Sequence, residues 1–316
     1  MASATVFPLS GRRVFVAGHR GMVGSALVRR LEREGCELLT AGREHLDLRD
    51  QPSVDRWFGE QRPEAVFLPA ARVGGIHENA TYPAEFVYDN LAIATHVIQA
   101  ARRSEVAKLM FFGSSCIYPR LAPQPMPETC LLSGALEPTN EWYAIAKIAG
   151  MKLCQAYRRQ YGCDFVSVMP TNLYGPNDNF DLLSSHVLPA LLAKIHAAVQ
   201  EGKADVTIWG TGEPRREFLH VDDLADAAVF LMKTWSDDEW VNIGTGLDVT
   251  IIELARHIAN IVGFTGRFVF DTAKSDGAPR KLLDVSKLRS LGWQSRISLS
   301  EGIRQTYEWY RQRANV

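Results

Sequence analysis

Two side chains capable of proton chemistry, Tyr143 and Lys147, lie four residues apart in the stretch from Asn140 to Gly150. The stretch follows Pro138 and is rich in Ala and Ile, which predicts the opening turns of a helix with Thr139 or Asn140 as N-cap. A spacing of four puts the phenol and the ammonium on one helix face. The positive charge favours phenolate and lowers a pKa of about 10 in isolation. Such a pair can exchange a proton with an alcohol or a ketone. Tyr-x-x-x-Lys also arises by chance, as a packed Tyr beside a solvated Lys, so its meaning depends on the rest of the chain.

The elements that must position the pair begin at Arg13–Ala17, a short β-branched run that feeds directly into Gly18, His19, Arg20, Gly21, Met22, Val23 and Gly24. Val23, Ala26, Leu27 and Leu31 then recur at helical spacing until Gly35. This is strand, glycine turn and helix. Gly18 allows the tight turn, Gly21 lets backbone approach a pyrophosphate, and Gly24 lets helix and strand pack closely. Phosphates would meet unpaired N–H groups at the helix N-terminus. The second strand, Glu37–Thr40, runs into Ala41, Gly42 and Arg43, where an NAD-selective site would carry an acid. Arg43 and Arg20 are either the holders of a 2′-phosphate or solvated surface charges. Asp47 and Leu48 would either line the adenine or simply precede the next helix at Asp50–Pro52.

Strands and helices go on alternating. Ala65–Leu68 reads as a strand, Pro83–Ala101 as a long amphipathic helix, Lys108–Phe112 as a buried strand and Phe165–Met169 as another. That order predicts a doubly wound parallel α/β sheet of Rossmann type, with ligands at the carboxyl ends of its strands. Ser114, Ser115 and Cys116 then lie in the crevice, as do Pro170, Thr171, Asn172 and Leu173. Beyond a polar loop, Asn177–Ser185, come a helix from His186 to Gln200 and strands at Val206–Gly210 and Arg216–His220. The Arg216–His220 strand and the helix that follows it, Asp222–Trp235, are expected to return to the first domain. The organisation expected is a dinucleotide domain at 1–174 and 217–246 with a smaller α/β substrate lobe at 175–216 and 247–316.

A chain of 316 residues with 46% hydrophobic content buries a large core, and a formal net charge of −1 gives no electrostatic case for nucleic acid or an anionic membrane. It has no apolar run of membrane-spanning length, and Met1–Ser10 lacks the pattern of a signal peptide. The expected compartment is the cytoplasm. Five cysteines without a Cys-x-x-Cys argue against a disulfide framework or a zinc site.

Taken together, the glycine loop, Ser114 ahead of Tyr143 and Lys147, and the run Arg216–Asp223 resemble the extended short-chain dehydrogenases/reductases that work on nucleotide sugars. The stretches 18–24, 73–76, 113–119, 137–141, 169–176 and 276–281 are similar to those of members that epimerise carbons 3 and 5 and reduce carbon 4 of GDP-4-keto-6-deoxy-D-mannose. The likeness runs nearly the whole chain, with Lys194 where an Arg is common and Pro69 where Ala is usual.

The resemblance implies NADP(H) as cofactor, a GDP-sugar as substrate and a homodimer built on the helices from Pro83 and Asn140. It makes Tyr143 the proton donor for reduction, Ser114 a second donor to the oxygen, and Lys147 the anchor of the nicotinamide ribose. It assigns epimerisation to Cys116 and His186, the latter also near the cofactor. Either residue taken alone could be structural, Cys116 a small core residue and His186 a helix cap. Lys194, Trp209, Arg216 and Asp276, with Arg280 in reserve, are the candidates for the nucleotide. Two other functions are compatible with parts of the pattern: an epimerase or dehydratase that recycles a tightly held NAD, and a non-catalytic Rossmann sensor. The sensor has no use for Ser114, Tyr143 and Lys147 together.

Overall fold

The computed structural model describes residues 7–182 and 184–314; residues 1–6 of the opening segment and residue 183 of the polar loop lie outside the described residues. In chain order the elements are β1 Arg13–Val16, α1 Met22–Leu31, β2 Glu37–Leu39, α2 Gln51–Gln61, β3 Ala65–Leu68, α3 Ile76–Thr81, α4 Pro83–Arg103, β4 Lys108–Phe112, α5 Glu141–Tyr161 and β5 Phe165–Pro170. There follow β6 Asn172–Tyr174, α6 Val187–Gln200, β7 Asp205–Trp209, β8 Arg215–His220, α7 Val221–Thr234, β9 Val241–Ile243, β10 Asp248–Thr250, α8 Ile251–Val262, β11 Arg267–Asp271, β12 Arg280–Lys281, α9 Ser286–Ser290 and α10 Leu299–Ala314. Among the described residues no helix is long and apolar enough to cross a membrane.

The main sheet has six parallel strands in the order β2-β1-β3-β4-β5-β9. Its strands are apolar on both faces because helices cover both. Side-chain alternation divides them cleanly: Phe15, Val66, Leu109, Phe111 and Phe165 pack towards α2, α4 and α5. Val14, Val16, Phe67, Met110, Phe112 and Val166 pack towards α1 and α7. Strand order reverses between β1 and β3, which puts the ligand crevice outside their carboxyl ends.

A third core lies under α6, α8 and α10, where Leu188, Leu191, Leu192 and Ile195 of α6 meet Leu254 and Ile258 of α8. The start of α8 is fixed by reciprocal hydrogen bonds between Thr250 and Glu253, and its end by Gly263 at φ +88°. Here the structure departs from expectation. Strand β8 does not join the six-stranded sheet; it pairs with β6, β10 and β12. Only after β8 does the chain return, with α7 packing on α1 and β9 extending the main sheet. The short strands β6, β10 and β12 and the helix α3 have no counterpart in the pattern of the sequence.

One carboxylate fastens these sheets together. Glu217, on β8, is fully buried; its Oε1 accepts from the backbone N–H of Thr245 and of Gly246, each at 2.7 Å, and its Oε2 from that of Leu283 at 3.0 Å. Burial pushes its pKa up against the pull of those donors. Replacing Glu217 with Ala leaves three N–H groups without their partner, that of Leu283 buried and those of Thr245 and Gly246 half-buried, each costing about 1–3 kcal/mol where water cannot reach it. Glu217→Ala is therefore expected to lose at least ~1 kcal/mol in urea unfolding and to speed amide exchange at Gly246 and Leu283. Unchanged exchange at both amides would mean that they are held by something else.

Candidate active site

The glycine loop has the shape that close approach to an anion needs. Gly18 turns at φ +88°, and a Cβ on Gly24 would lie 2.1 Å from the Gly18 carbonyl oxygen, so that position accepts no side chain. Gly21 is the N-cap of α1; no side chain caps that end and no acid stands in its first turn. Its N–H groups are therefore free for phosphate oxygens. Gly18 also touches Ala70 in the loop after β3, which places the turn at the strand-order reversal. His19 is half-buried with its Nδ1 unpaired, and burial, aided by the charge of Arg20, lowers its pKa. Met22 and Val23 lie in the first turn of α1, packed against the core beneath it.

The strand end beside this loop is not purely basic. Arg20 makes a forked pair with Glu44, with NH1 donating to Oε2 at 2.9 Å and NH2 to Oε1 at 2.5 Å. Arg43, largely exposed, stands 3.5 Å from Asp47 Oδ2. Asp47 is occupied as well: Arg49 donates to both of its oxygens and holds its carboxyl well below the usual range. Arg20 and Arg43 thus each already have an acidic partner. Neither carboxylate of Glu44 or Asp47 is idle.

Tyr143 and Lys147 do share a face of α5, whose N-cap Asn140 makes no side-chain capping bond. Their electrostatics differ from expectation. The Lys147 ammonium is buried and donates to the Phe112 carbonyl at 2.8 Å, with the Tyr143 ring centroid 5.7 Å away. Burial lowers its pKa to about 7. The Tyr143 phenol moves up, not down: burial dominates, the neighbouring Cys116 adds to it, and the Ser114 hydroxyl hydrogen-bonds in opposition. The spacing rule omits desolvation, and desolvation wins. A phenol held protonated is the form that donates a proton.

The turn after β4 carries the other reactive groups. Ser114 is extended at φ −160°, and its Oγ accepts from the Cys116 N–H at 3.3 Å, starting a single 3-10 turn, 115–117. Ser115 is buried and Cys116 half-buried. Opposite lies Lys281 of β12, its Nζ 4.0 Å from Cys116 Sγ. His186 is the N-cap residue of α6 but makes no capping bond, which leaves its ring free for chemistry. By its accessible surface His186 is exposed, although protein atoms crowd around its ring. Its pKa is lowered by that crowding and by Lys281. The Val73–Ile76 motif explains where His186 sits: Gly75 N–H donates to Ser184 O at 2.9 Å, and a Cβ there would press on the Ser184 and Ser185 carbonyls at 3.2 Å.

Pro170 ends β5, and the residues after it lead to β8. Thr171 N–H donates to Ile243 O at 3.0 Å and Asn172 Nδ2 to Glu217 O at 2.8 Å, with Leu173 pairing with Leu219. Of the nucleotide candidates, Lys194 lies with its Nζ 4.5 Å from the ring centroid of half-exposed Trp209. Arg216 is half-buried and senses Cys116, Asp276 and Glu137. Asp276 is already engaged within the protein: Thr211 N and Oγ1 each donate to it at 2.8 Å, so it ties two loops together. Arg280 is likewise spent on Asp248. Two lysines went unassigned in the sequence, Lys281 beside Cys116 and Lys274, whose Nζ lies 5.4 Å from the Trp209 ring. Lys281 stood in a motif; nothing in the sequence singled out Lys274.

The model of the NAD dependent epimerase/dehydratase family matches residues 14–244. The chain is 58% identical over 299 residues to GDP-L-fucose synthase 1 of Arabidopsis thaliana, covering 94% of this chain and 93% of that one. It is 54% identical over 312 residues to GDP-L-fucose synthase of Escherichia coli K12, covering 96% and 97%. A solved GDP-L-fucose synthetase from Naegleria fowleri bound to NADP superposes with a TM-score of 0.91 at 28% identity, covering 100% of this chain and 99% of that one.

The buried Lys147 makes a prediction that needs no ligand. Its folded pKa, about 7, lies below the 10.5 of the free side chain. Between those values the unfolded chain holds a proton that the folded chain lacks, so this group adds stability as pH rises. Its destabilising effect is complete below pH 7 and gone above about pH 10.5. Each pH step of one between the two values is worth ~1.4 kcal/mol. Lys147→Met is therefore expected to be more stable than the parent by a few kcal/mol near neutrality and to lose that advantage as pH rises. Urea unfolding across that range measures it; an advantage independent of pH would mean the ammonium is not desolvated.

Proposed function

The chain belongs to the NAD dependent epimerase/dehydratase family, and we propose that it converts GDP-4-keto-6-deoxy-D-mannose into GDP-L-fucose by 3,5-epimerisation and NADPH-dependent 4-reduction. The supporting names are those of its relatives in Arabidopsis and Escherichia coli. The observation that carries the reading is that Cys116 shares a crevice with Ser114 and Tyr143 and lies 4.0 Å from Lys281, the charge that also acts on His186. An enzyme that only recycles a bound NAD has no need of a thiol beside its Tyr.

The cofactor's phosphates fit the N-terminus of α1, bare of caps and acids, with Gly21 leaving room for them. When bound, NADPH supplies the hydride for carbon 4. Tyr143, kept protonated, gives its proton to the carbon 4 oxygen while Ser114 hydrogen-bonds that oxygen; one such preorganised donor is worth about 3 kcal/mol of barrier. Lys147 anchors the nicotinamide ribose. Before reduction, Cys116 takes the proton from carbon 3 or 5 and His186 returns one on the opposite face. Lys194, Trp209 and Arg216 hold the GDP, with Asp276 fixing the loop beside them. The six-stranded sheet with its covering helices is the dinucleotide domain, and the segments around α6, α8 and α10 form the substrate lobe. Five free thiols suit the cytoplasm.

The two sets separate by mutation. In deuterated water without NADPH the enzyme is expected to exchange deuterium into carbons 3 and 5 of the keto sugar. Cys116→Ser should slow that exchange by about 100-fold or more. Tyr143→Phe should leave exchange running while reduction collapses. Normal exchange in Cys116→Ser would remove Cys116 from the reaction, and an intact enzyme that made no fucose from this substrate with NADPH would end the proposal.

A homodimer is the second part of the reading. On α4 and α5, Tyr88 is 68% exposed, Trp142 43% and Ile145 38%, an apolar surface on two helices that pack together. Sedimentation at micromolar concentration should give a dimer, and Tyr88→Glu with Ile145→Glu should give monomers. A monomeric parent protein would refute it.

A further inference from the structure

Lys281 reaches Cys116 from a strand held on every side. Leu282 N–H donates to the Gln124 side chain at 2.8 Å, Leu283 N–H to Glu217 at 3.0 Å, and Met126 N–H to the Leu282 carbonyl at 2.8 Å. On its other edge β12 pairs in parallel with β8, Lys281 in register with Arg216. The lysine therefore starts from a fixed backbone, and its Nζ ends 4.0 Å from Cys116 Sγ. That distance is long for a hydrogen bond but well within the reach of a full charge. The groups that face Cys116 are Lys281, Arg216 and the Tyr143 phenol. Lys281 is also the charge that His186 senses.

We propose that Lys281 is a positioning residue for the epimerisation, the counter-ion of the Cys116 thiolate that makes Cys116 the group removing the proton and His186 the group returning it. The inference rests on the reaction proposed above. The sulfur takes the proton from carbon 3 or 5 and becomes a thiol, and the electron pair left on carbon moves onto the carbon 4 oxygen, beside Tyr143 and Ser114. His186, its ring open to water, acquires a solvent proton and delivers it to the opposite face; the thiol proton then leaves to solvent. Lys281 neither gives nor takes a proton in these steps. A positive neighbour acts in opposite senses on the two groups. It favours the anion at sulfur and disfavours the cation at imidazole, so the imidazolium that does form is the stronger acid.

A lysine here could instead clamp the diphosphate of the nucleotide, and the two roles read out differently. In the full chain without ligand, near neutral pH, Lys281→Met is expected to slow alkylation of Cys116 by iodoacetamide about tenfold, because only the thiolate reacts. Peptide mass spectrometry follows the reaction, with half-buried Cys163 as internal reference. Lys281→Arg should keep most of the parent rate. Calorimetric affinity for GDP should change by no more than about twofold, while deuterium exchange at carbons 3 and 5 falls with the alkylation rate. If Lys281→Met exposes the buried Cys154 to alkylation, its fold has loosened and Lys281→Gln with Lys281→Arg takes its place. Unchanged Cys116 alkylation in a folded neutral variant overturns the proposal, and a large loss of GDP affinity beside it would make Lys281 a phosphate clamp. A parent protein that exchanges no deuterium sinks the proposed reaction, whereas the alkylation rates still decide what Lys281 does to the sulfur.

Discussion

An ammonium shut inside the protein, as Lys147 is, has to be given a partner or lose its proton. Its partner is the Phe112 carbonyl, the last in β4, at 2.8 Å. That single bond fastens the middle of α5 to the end of a central strand. Two consequences follow in opposite directions along the chain. One turn back on the helix, Tyr143 is carried over the carboxyl end of the sheet; two residues on from Phe112, Ser114 and then Cys116 are turned up to meet it. Close packing supports the arrangement, since a Cβ on Gly150 would lie 2.5 Å from the Phe111 ring. With Gly at 150 the helix lies close enough to the strand for the ammonium to reach the carbonyl.

What the main sheet cannot supply, Glu217 brings. By holding Thr245, Gly246 and Leu283 at once, it places Arg216 beside it and Lys281 two residues before Leu283 at the same crevice. A second buried group works in parallel. Asn242 on β9 donates to Met126 O at 3.0 Å and Asp284 O at 3.1 Å and accepts from the Tyr118 hydroxyl at 2.5 Å. Tyr118 lies two residues beyond Cys116. The loop bearing the thiol and the strand bearing Lys281 are thus fixed to common buried points, which is how a site made of distant segments keeps its distances.

The parts of this architecture that were legible in the sequence are those whose signal is local. β1, the glycine loop and α1 announce themselves because the glycine spacing and the helical recurrence of Ala26, Leu27 and Leu31 adjoin. β4 and α4 carry enough apolar residues to be read. β6, β10 and β12 do not, being three residues or fewer, too short for a period and paired with partners far along the chain. The same holds for the site. Ser114, Tyr143 and Lys147 are recognisable by motif, but Lys281 is 165 residues from Cys116 and only the fold brings them together. Glu44 adjoins Arg43 in the chain, yet its partner is Arg20, a pairing invisible to a reading of charge along the strand. The Tyr143 pKa moves against the reading of its spacing because burial is a property of the fold.

Net charge was uninformative for a related reason. A chain at −1 overall still gathers Lys194, Lys274, Arg216 and Lys281 around Trp209 and Cys116. A local excess of this kind is what an anion meets, since fields fall off within about 10 Å in salt. The cations cannot all serve the same end. A diphosphate bound by Arg216 would cancel the charge that Arg216 lends to Cys116, leaving the sulfur dependent on whichever cation the phosphates do not occupy. The Lys281 ammonium lies 4.0 Å from the sulfur, and its strand is fixed by Glu217 and Gln124, not by any ligand. Under the proposed reaction, binding and proton removal draw on separate charges, so that filling the site with an anion need not silence the base.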